Sequence, residues 1–138
     1  EEEDDSGSSG GDRQGSAPAP NSRAQVAVDT AYDQLGKPYR YAGTGPDSFD
    51  CSGLTSYVWA AAGVSIPHSS GSQYASLPHV SQSELAPGDL VFYGSPIHHV
   101  GIYVGGGQYI HAPQTGDVVK ISSMSGWYSS TYVGARRL

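Results

Sequence analysis

The chain has 138 residues and a formal net charge of −6, from 13 acidic side chains against 7 Lys or Arg. Six of those acids and one Arg fall in Glu1–Ser22, so the other 116 residues are near neutral and hold only six basic side chains, too few for a stripe that neutralises phosphates; nucleic acid is excluded as a partner. No stretch approaches the ~20 apolar residues of a membrane span, and no basic start leads into an apolar run. Neither a membrane span nor a leader is read in these residues, and export would rely on a leader outside them.

The opening EEEDDSGSSGGDRQGSAPAPNS has no Val, Ile, Leu, Met, Phe, Trp, Tyr or Cys. It cannot bury enough apolar area to offset chain entropy, and residues 1–22 are read as a disordered acidic linker or tail. Residues 23–138 then form one domain of ordinary size.

Order is expected to begin at Ser22. Ser22 and Gln25 have capping-box spacing, and Val28, Ala31, Tyr32 and Leu35 recur at one face of a helix that Gly36 and Pro38 stop. After the irregular KPYRYAGTGPDSFD, Leu54, Tyr57, Val58 and Ala61 mark a second helix with Asp50 as N-cap and Gly63 as its stop. A shorter helical piece covers Ser70 to Leu77.

Beyond residue 84 the texture changes. Asp89–Tyr93, His99–Val104, Tyr109–Ala112, Val118–Ile121 and Tyr132–Arg136 are short runs rich in β-branched and aromatic residues, separated by Gly, Pro and Ser. Helices followed by strands predict an α+β fold. The Gly105-Gly106-Gly107 triplet reads as a hairpin turn, and Gly88 and Asp89 in PGDLVFY as a turn into a strand. Trp59 and Trp127 are read as packing residues.

Cys51 is the one cysteine, so no internal disulfide and no multi-cysteine zinc site exists. In FDCSGL it falls in the first turn of the second helix. Free N–H groups and the positive dipole end there favour an anion, which predicts a depressed thiol pKa and a site for an oxyanion. A thiolate nucleophile needs an imidazole to exchange its proton. Alternation along HHVGIYV sets His98 with Val100 and Ile102, and His99 on the other face with Gly101 clearing space beside it. In QYIHA, Tyr109 and His111 oppose Ile110. A three-residue loop at Val104 to Gly106 would place His99 directly opposite His111. Nucleophile, base and an orienting third residue follow the logic of a catalytic triad. A buried core cysteine, ordinary solvent-facing histidines and a Cys-His-His metal site are the other readings of the same residues.

PYRYAGTGPDSFDCSGL, IPHSSGSQY, LAPGDLVFY and HVGIYVGGGQYIHAP, in that order, resemble the NlpC/p60 family of bacterial cell-wall cysteine peptidases over essentially residues 23–138. The resemblance implies a papain-like α+β fold, with the cysteine helix packed on an antiparallel sheet that carries the histidines. It implies Cys51 as nucleophile, His99 as base and His111 as third catalytic residue. Tyr39 would line the site, with Asp50 and Ser52 helping to hold substrate. The substrate would be the stem peptide of peptidoglycan, cut from the γ-carboxyl of D-glutamate to the diamino acid, by a secreted or wall-associated monomer with no metal or other cofactor. Tyr41, Ala42 and His68 depart from the residues common in the family (Trp, Gly and Arg), which bears on fine specificity. Tyr39, Tyr41 and Tyr103 would offer a peptide groove. An amidase or acyltransferase with the same triad is the alternative among enzymes, and a silent wall-binding module the alternative outside them.

Overall fold

The computed structural model describes residues 19–126 and 129–138. Most of the acidic tail, and Trp127, lie outside the described residues.

Helix α1 (Ser22–Asp33) buries Val28, Ala31 and Tyr32, the spacing-derived face, together with Ala24 and Ala27. Its cap is Asn21 rather than Ser22. The Asn21 side-chain oxygen accepts the N–H of Ala24 at 2.9 Å, while Gln25 turns forward to Asp29 at 2.8 Å instead of closing a capping box. The Asn21 amide oxygen takes the Ala24 N–H and the Asn21 carbonyl the Gln25 N–H at 3.0 Å, so Ser22 is already helical. Ala19, ahead of the helix, is partly buried against the core.

Helix α2 (Cys51–Ala61) follows Asp50, whose carboxylate accepts the N–H of Gly53 at 2.6 Å, the cap expected from sequence. Its buried arc is wider than one face: Leu54 and Val58 are joined by Ser52, Gly53, Thr55 and Trp59, whereas Ala61 is exposed. The cause is a second partner. Helix α3 (Ser70–Ser76) inserts Gln73, fully buried, which accepts from the Thr55 hydroxyl at 2.9 Å and donates to the carbonyls of Pro67 at 2.8 Å and Ser52 at 3.2 Å. A buried amide is tolerated only when satisfied in this way. Trp59 is a packing residue, its indole N–H donating to the carbonyl of Gly88 at 3.2 Å.

Six strands form one antiparallel sheet: β1 (His79–Val80), β2 (Leu90–Tyr93), β3 (His99–Gly105), β4 (Gln108–His111), β5 (Lys120–Ser123) and β6 (Tyr132–Arg136), in the order β1-β6-β2-β3-β4-β5. This is the expected α+β arrangement, with helices on an antiparallel sheet. Two residues of β1 are too few for a periodic signal. Strand β5 starts two residues later than expected, because Val118 bridges to Pro38 and the N–H of Val119 donates to the carbonyl of Lys37 at 2.8 Å. Alternation sorts the sheet into two faces. Leu90, Phe92, Val100, Ile102, Val104 and Ile110 pack on α1 and α2, while Val91, Tyr93, Tyr109 and Ala135 form a second, aromatic cluster.

The PGD turn does more than reverse the chain. Asp89, 2% exposed, accepts the N–H of Ala86 at 2.8 Å and two bonds from Arg137, each 2.8 Å, tying the C-terminal residues to the start of β2. Removing the guanidinium strands a buried carboxylate with one neutral donor. Arg137→Ala is expected to destabilise the domain by about 2 kcal/mol in urea unfolding, and Arg137→Lys, which loses the two-pronged geometry, by about half of that.

Candidate active site

Cys51 is the first helical residue of α2, and the way its helix start is held sets the site. The turn Arg40–Gly43, closed by the Gly43 N–H donating to the Arg40 carbonyl at 2.8 Å, lies against it, and the N–H of Asp50 donates to the Gly43 carbonyl at 2.9 Å. A Cβ on Gly53 would run into that same Gly43 carbonyl. The glycine of DCSGL is thus a close-approach residue that lets the turn touch the helix. On its other side the thiol meets the beginning of β3. Sγ lies 4.0 Å from the carbonyl oxygen of His98 and is approached by the backbone N–H of Val100, the two residues that flank His99.

His99 and His111 lie on the sheet face away from α2, 3% and 1% exposed, among Tyr93 and Tyr109. His99 Nε2 and His111 Nδ1 are 2.7 Å apart. The shared face agrees with the parity argument, but the register does not. Ile102 pairs with Ile110 and Tyr103 with Tyr109, with a bulge before Gly105 and Gln108, so the hairpin is offset by two residues and the histidines meet on a diagonal. An even offset preserves the face, which is why the parity survived. Gly101 occupies the space between them: a Cβ there would sit 2.6 Å from Tyr109 Cδ2 and 3.2 Å from His111 Cβ. His98 lies outside the strand, exposed, its ring over Gly94.

Two residues beyond the expected set join this cluster. Ser122 on β5 places its hydroxyl 2.8 Å from His111 Nε2. His68 Nε2 is 3.0 Å from Oδ1 of Asp50, the cap of α2. Neither serine of KISS carries a sequence signal, and His68 is legible only as one of five candidate imidazoles and as a departure from the family residue. Ser52 is buried, its hydroxyl 3.4 Å from Asp50 Oδ1, so it reaches the site only through Asp50. Tyr39 is half-buried and held by backbone bonds from its N–H to Asp117 and from Arg40 N–H to Phe49, both 2.9 Å. Tyr41 stands out at the rim, 85% exposed. Tyr103 does not join these tyrosines. Its hydroxyl accepts the N–H of Gly107 at 3.0 Å, at the far end of the hairpin. Among the described residues, no group of three His, Cys, Asp or Glu side chains could hold a metal ion.

The NlpC/P60 family profile matches residues 36–137. The chain belongs to the NlpC/P60 family. It is 55% identical over 104 residues to a protein of Listeria seeligeri named "Probable endopeptidase p60", across 72% of this chain and 20% of that protein. It is 39% identical over 123 residues to murein DD-endopeptidase MepH of Escherichia coli K12, across 83% of this chain and 45% of that one. The crystal structure of the NlpC/p60 domain of peptidoglycan hydrolase SagA superposes with a TM-score of 0.76 at 40% identity, covering 83% of this chain and 98% of that domain. The chain therefore spans about a fifth of the Listeria protein and just under half of the E. coli one.

Burial dominates the electrostatics of this NlpC/P60 site. It pushes the Cys51 thiol up from its ordinary value, helped by the Asp50 charge, and outweighs the N–H groups of Val100, Ser52 and Cys51 itself that pull it down. The depressed thiol expected from the helix N-terminus is thus not what the site produces: desolvation of the anion exceeds the favourable helix end. Burial, with a contribution from His98, lowers His99 from 6.5 to about 4. Burial, then His99 and Lys120, lowers His111 from 6.5 to about 3, against an opposing pull from Asp117. At neutral pH each group is held in its neutral form.

These shifts make folding pH-dependent. As pH falls below 6.5 the unfolded chain protonates both histidines while the folded chain does not, so stability present near neutral pH is lost until the folded pKa values of about 4 and 3 are reached. Each pH unit within that window costs on the order of 1 kcal/mol per histidine held neutral. Melting temperature should therefore fall steadily from about pH 7 to about pH 4, and His111→Gln should flatten that slope. A wild-type melting temperature constant across the window would show that the histidines are not held neutral.

Proposed function

We propose that this domain is a cysteine endopeptidase of the peptidoglycan stem peptide, acting outside the membrane where that polymer lies, on the bond from the γ-carboxyl of D-glutamate to the diamino acid. The observation that carries the reading is the seating of Cys51, at a helix start, against the backbone on both sides of a buried histidine that is itself hydrogen-bonded to a second. The printed names of the Listeria and E. coli relatives and of SagA support the same class of activity.

The geometry divides the labour. Because His99 Nε2 is engaged by His111, proton exchange with the thiol uses Nδ1, the ring nitrogen on the main-chain side. The thiol proton moves to Nδ1 as Sγ attacks the carbonyl carbon, so the charge that burial opposes in the resting enzyme appears only along the reaction coordinate. The developing oxyanion accepts from the Cys51 N–H and from the hydroxyl of Tyr39, which lies close enough to Cys51 and Asp50 for their charges, after burial, to raise its pKa. Collapse of the tetrahedral intermediate expels the amine, which takes the proton from Nδ1, and leaves a thioester. Water then attacks, giving its proton to Nδ1, and the carboxylate departs as the thiol is restored. His111 holds the ring of His99 throughout. Asp50, flanked by His68, lies beside the thiol with a carboxylate available to a cationic or amide group of the substrate.

Mass spectrometry of peptidoglycan fragments after digestion tests the bond. The proposed cut leaves L-alanyl-D-isoglutamate on the glycan and frees the peptide that starts with the diamino acid. Conversion of cross-linked dimers into intact monomers would instead show a DD-endopeptidase, the activity in the name of the E. coli relative. Cys51→Ala should abolish either activity. His99→Ala should remove acylation of Cys51 by a peptide substrate at neutral pH, by at least about a hundredfold, while His98→Ala keeps most of it. The reverse ranking would overturn the assignment of the base.

A further inference from the structure

We propose that Ser122 is a positioning residue whose hydroxyl oxygen supplies the acceptor needed by the one pair of histidine tautomers in which His99 can take the thiol proton. The inference rests on the triad reading above. Three side chains on successive strands form one line of hydrogen bonds: His99 on β3, His111 on β4 and Ser122 on β5, with contacts of 2.7 and 2.8 Å. The second contact is diagonal like the first. His111 pairs with Lys120 and Tyr109 with Ser122, so His111 and Ser122 share a face two residues apart.

A line of this kind has two directions. For Nδ1 of His99 to accept the thiol proton, its resting proton must be on Nε2, which then donates to His111 Nδ1. His111 must in turn carry its proton on Nε2 and donate it to the Ser122 oxygen. In the reverse direction Ser122 donates to His111 Nε2, His111 donates from Nδ1 to His99 Nε2, and His99 is already protonated at Nδ1. Both directions pair the three side chains with one another at rest. Only the first survives proton transfer, since in the second an imidazolium at His99 would set its Nε2–H against the Nδ1–H of His111. An acceptor at position 122 is therefore what the productive direction requires. His111 is 1% exposed, so solvent is a poor substitute for that acceptor.

The test compares Ser122→Thr, which keeps an oxygen, with the volume-matched Ser122→Val, whose methyl groups also exclude a replacement water, using His99→Ala as reference. Two readouts are taken: the second-order rate of Cys51 alkylation by iodoacetamide from about pH 5 to about pH 9, and the tautomers of His99 and His111 from imidazole 15N shifts. Ser122→Val should lower the alkylation rate at pH 7 about tenfold, the equivalent of ~1.4 kcal/mol for one buried hydrogen bond, and Ser122→Thr should stay within about twofold of wild type. The valine variant should also move His99 toward its Nδ1–H form. A valine variant that alkylates at the wild-type rate, or a threonine variant that falls as far as valine, overturns the role of Ser122 while leaving the triad reading intact. If His99→Ala itself alkylates normally, the triad reading fails and the inference goes with it. Should Ser122→Val not fold, Ser122→Ala takes its place against Ser122→Thr, and equal alkylation rates in those two overturn the proposal.

Discussion

Contact between the start of α2 and the carbonyl of Gly43 is the constraint on which the site depends. It exists because position 53 has no side chain. Once the turn at 40–43 touches the helix, the Asp50 N–H is satisfied by Gly43, its carboxylate is free to cap the helix, and Cys51 is fixed at the first helical position. The same turn fixes what surrounds the thiol, since Tyr39 enters it and Tyr41 projects from it. Ala42 follows Tyr41 with φ of 59°, a conformation that costs a residue with a Cβ. The turn holds that conformation because its two ends are bonded to the helix cap and to Phe49.

The sheet separates two chemical layers. On the helix side the sheet residues are aliphatic apart from Phe92, and the packing is that of an ordinary core. On the opposite side tyrosines enclose two imidazoles and deprive them of water. Cys51 at the start of α2 and the two buried histidines belong to different layers, and the thiol meets the backbone of His98 and Val100 where β3 begins.

Much of this could be read from the residues alone. The face of α1, the Asp50 cap, the α+β order and the common face of His99 and His111 all follow from periodicity or from one strong local signal, and the structure has each of them. What was misread depended on distant partners. The wide buried arc of α2 answers to Gln73, which lies in a short helix with no apolar face of its own. The bidentate Asp89–Arg137 pair spans the domain and looks, in sequence, like a turn residue and a basic end. Hairpin register was wrong by two because a bulge near three consecutive glycines leaves no side chain to specify it. Ser122 was invisible, since a serine on an edge-side strand is ordinary until a histidine is found across from it. The thiol's acidity was misjudged for a different reason: the helix end is a local feature, but the burial that outweighs it is collective.

That burial has a consequence for durability. Thiolates, not thiols, are what peroxides and disulfides attack. A cysteine kept protonated at rest is slow to oxidise and slow to exchange, and a chain whose only cysteine is in that state has no second thiol with which to close an internal disulfide. Desolvation therefore gives up standing nucleophilicity in return for persistence under oxidising conditions.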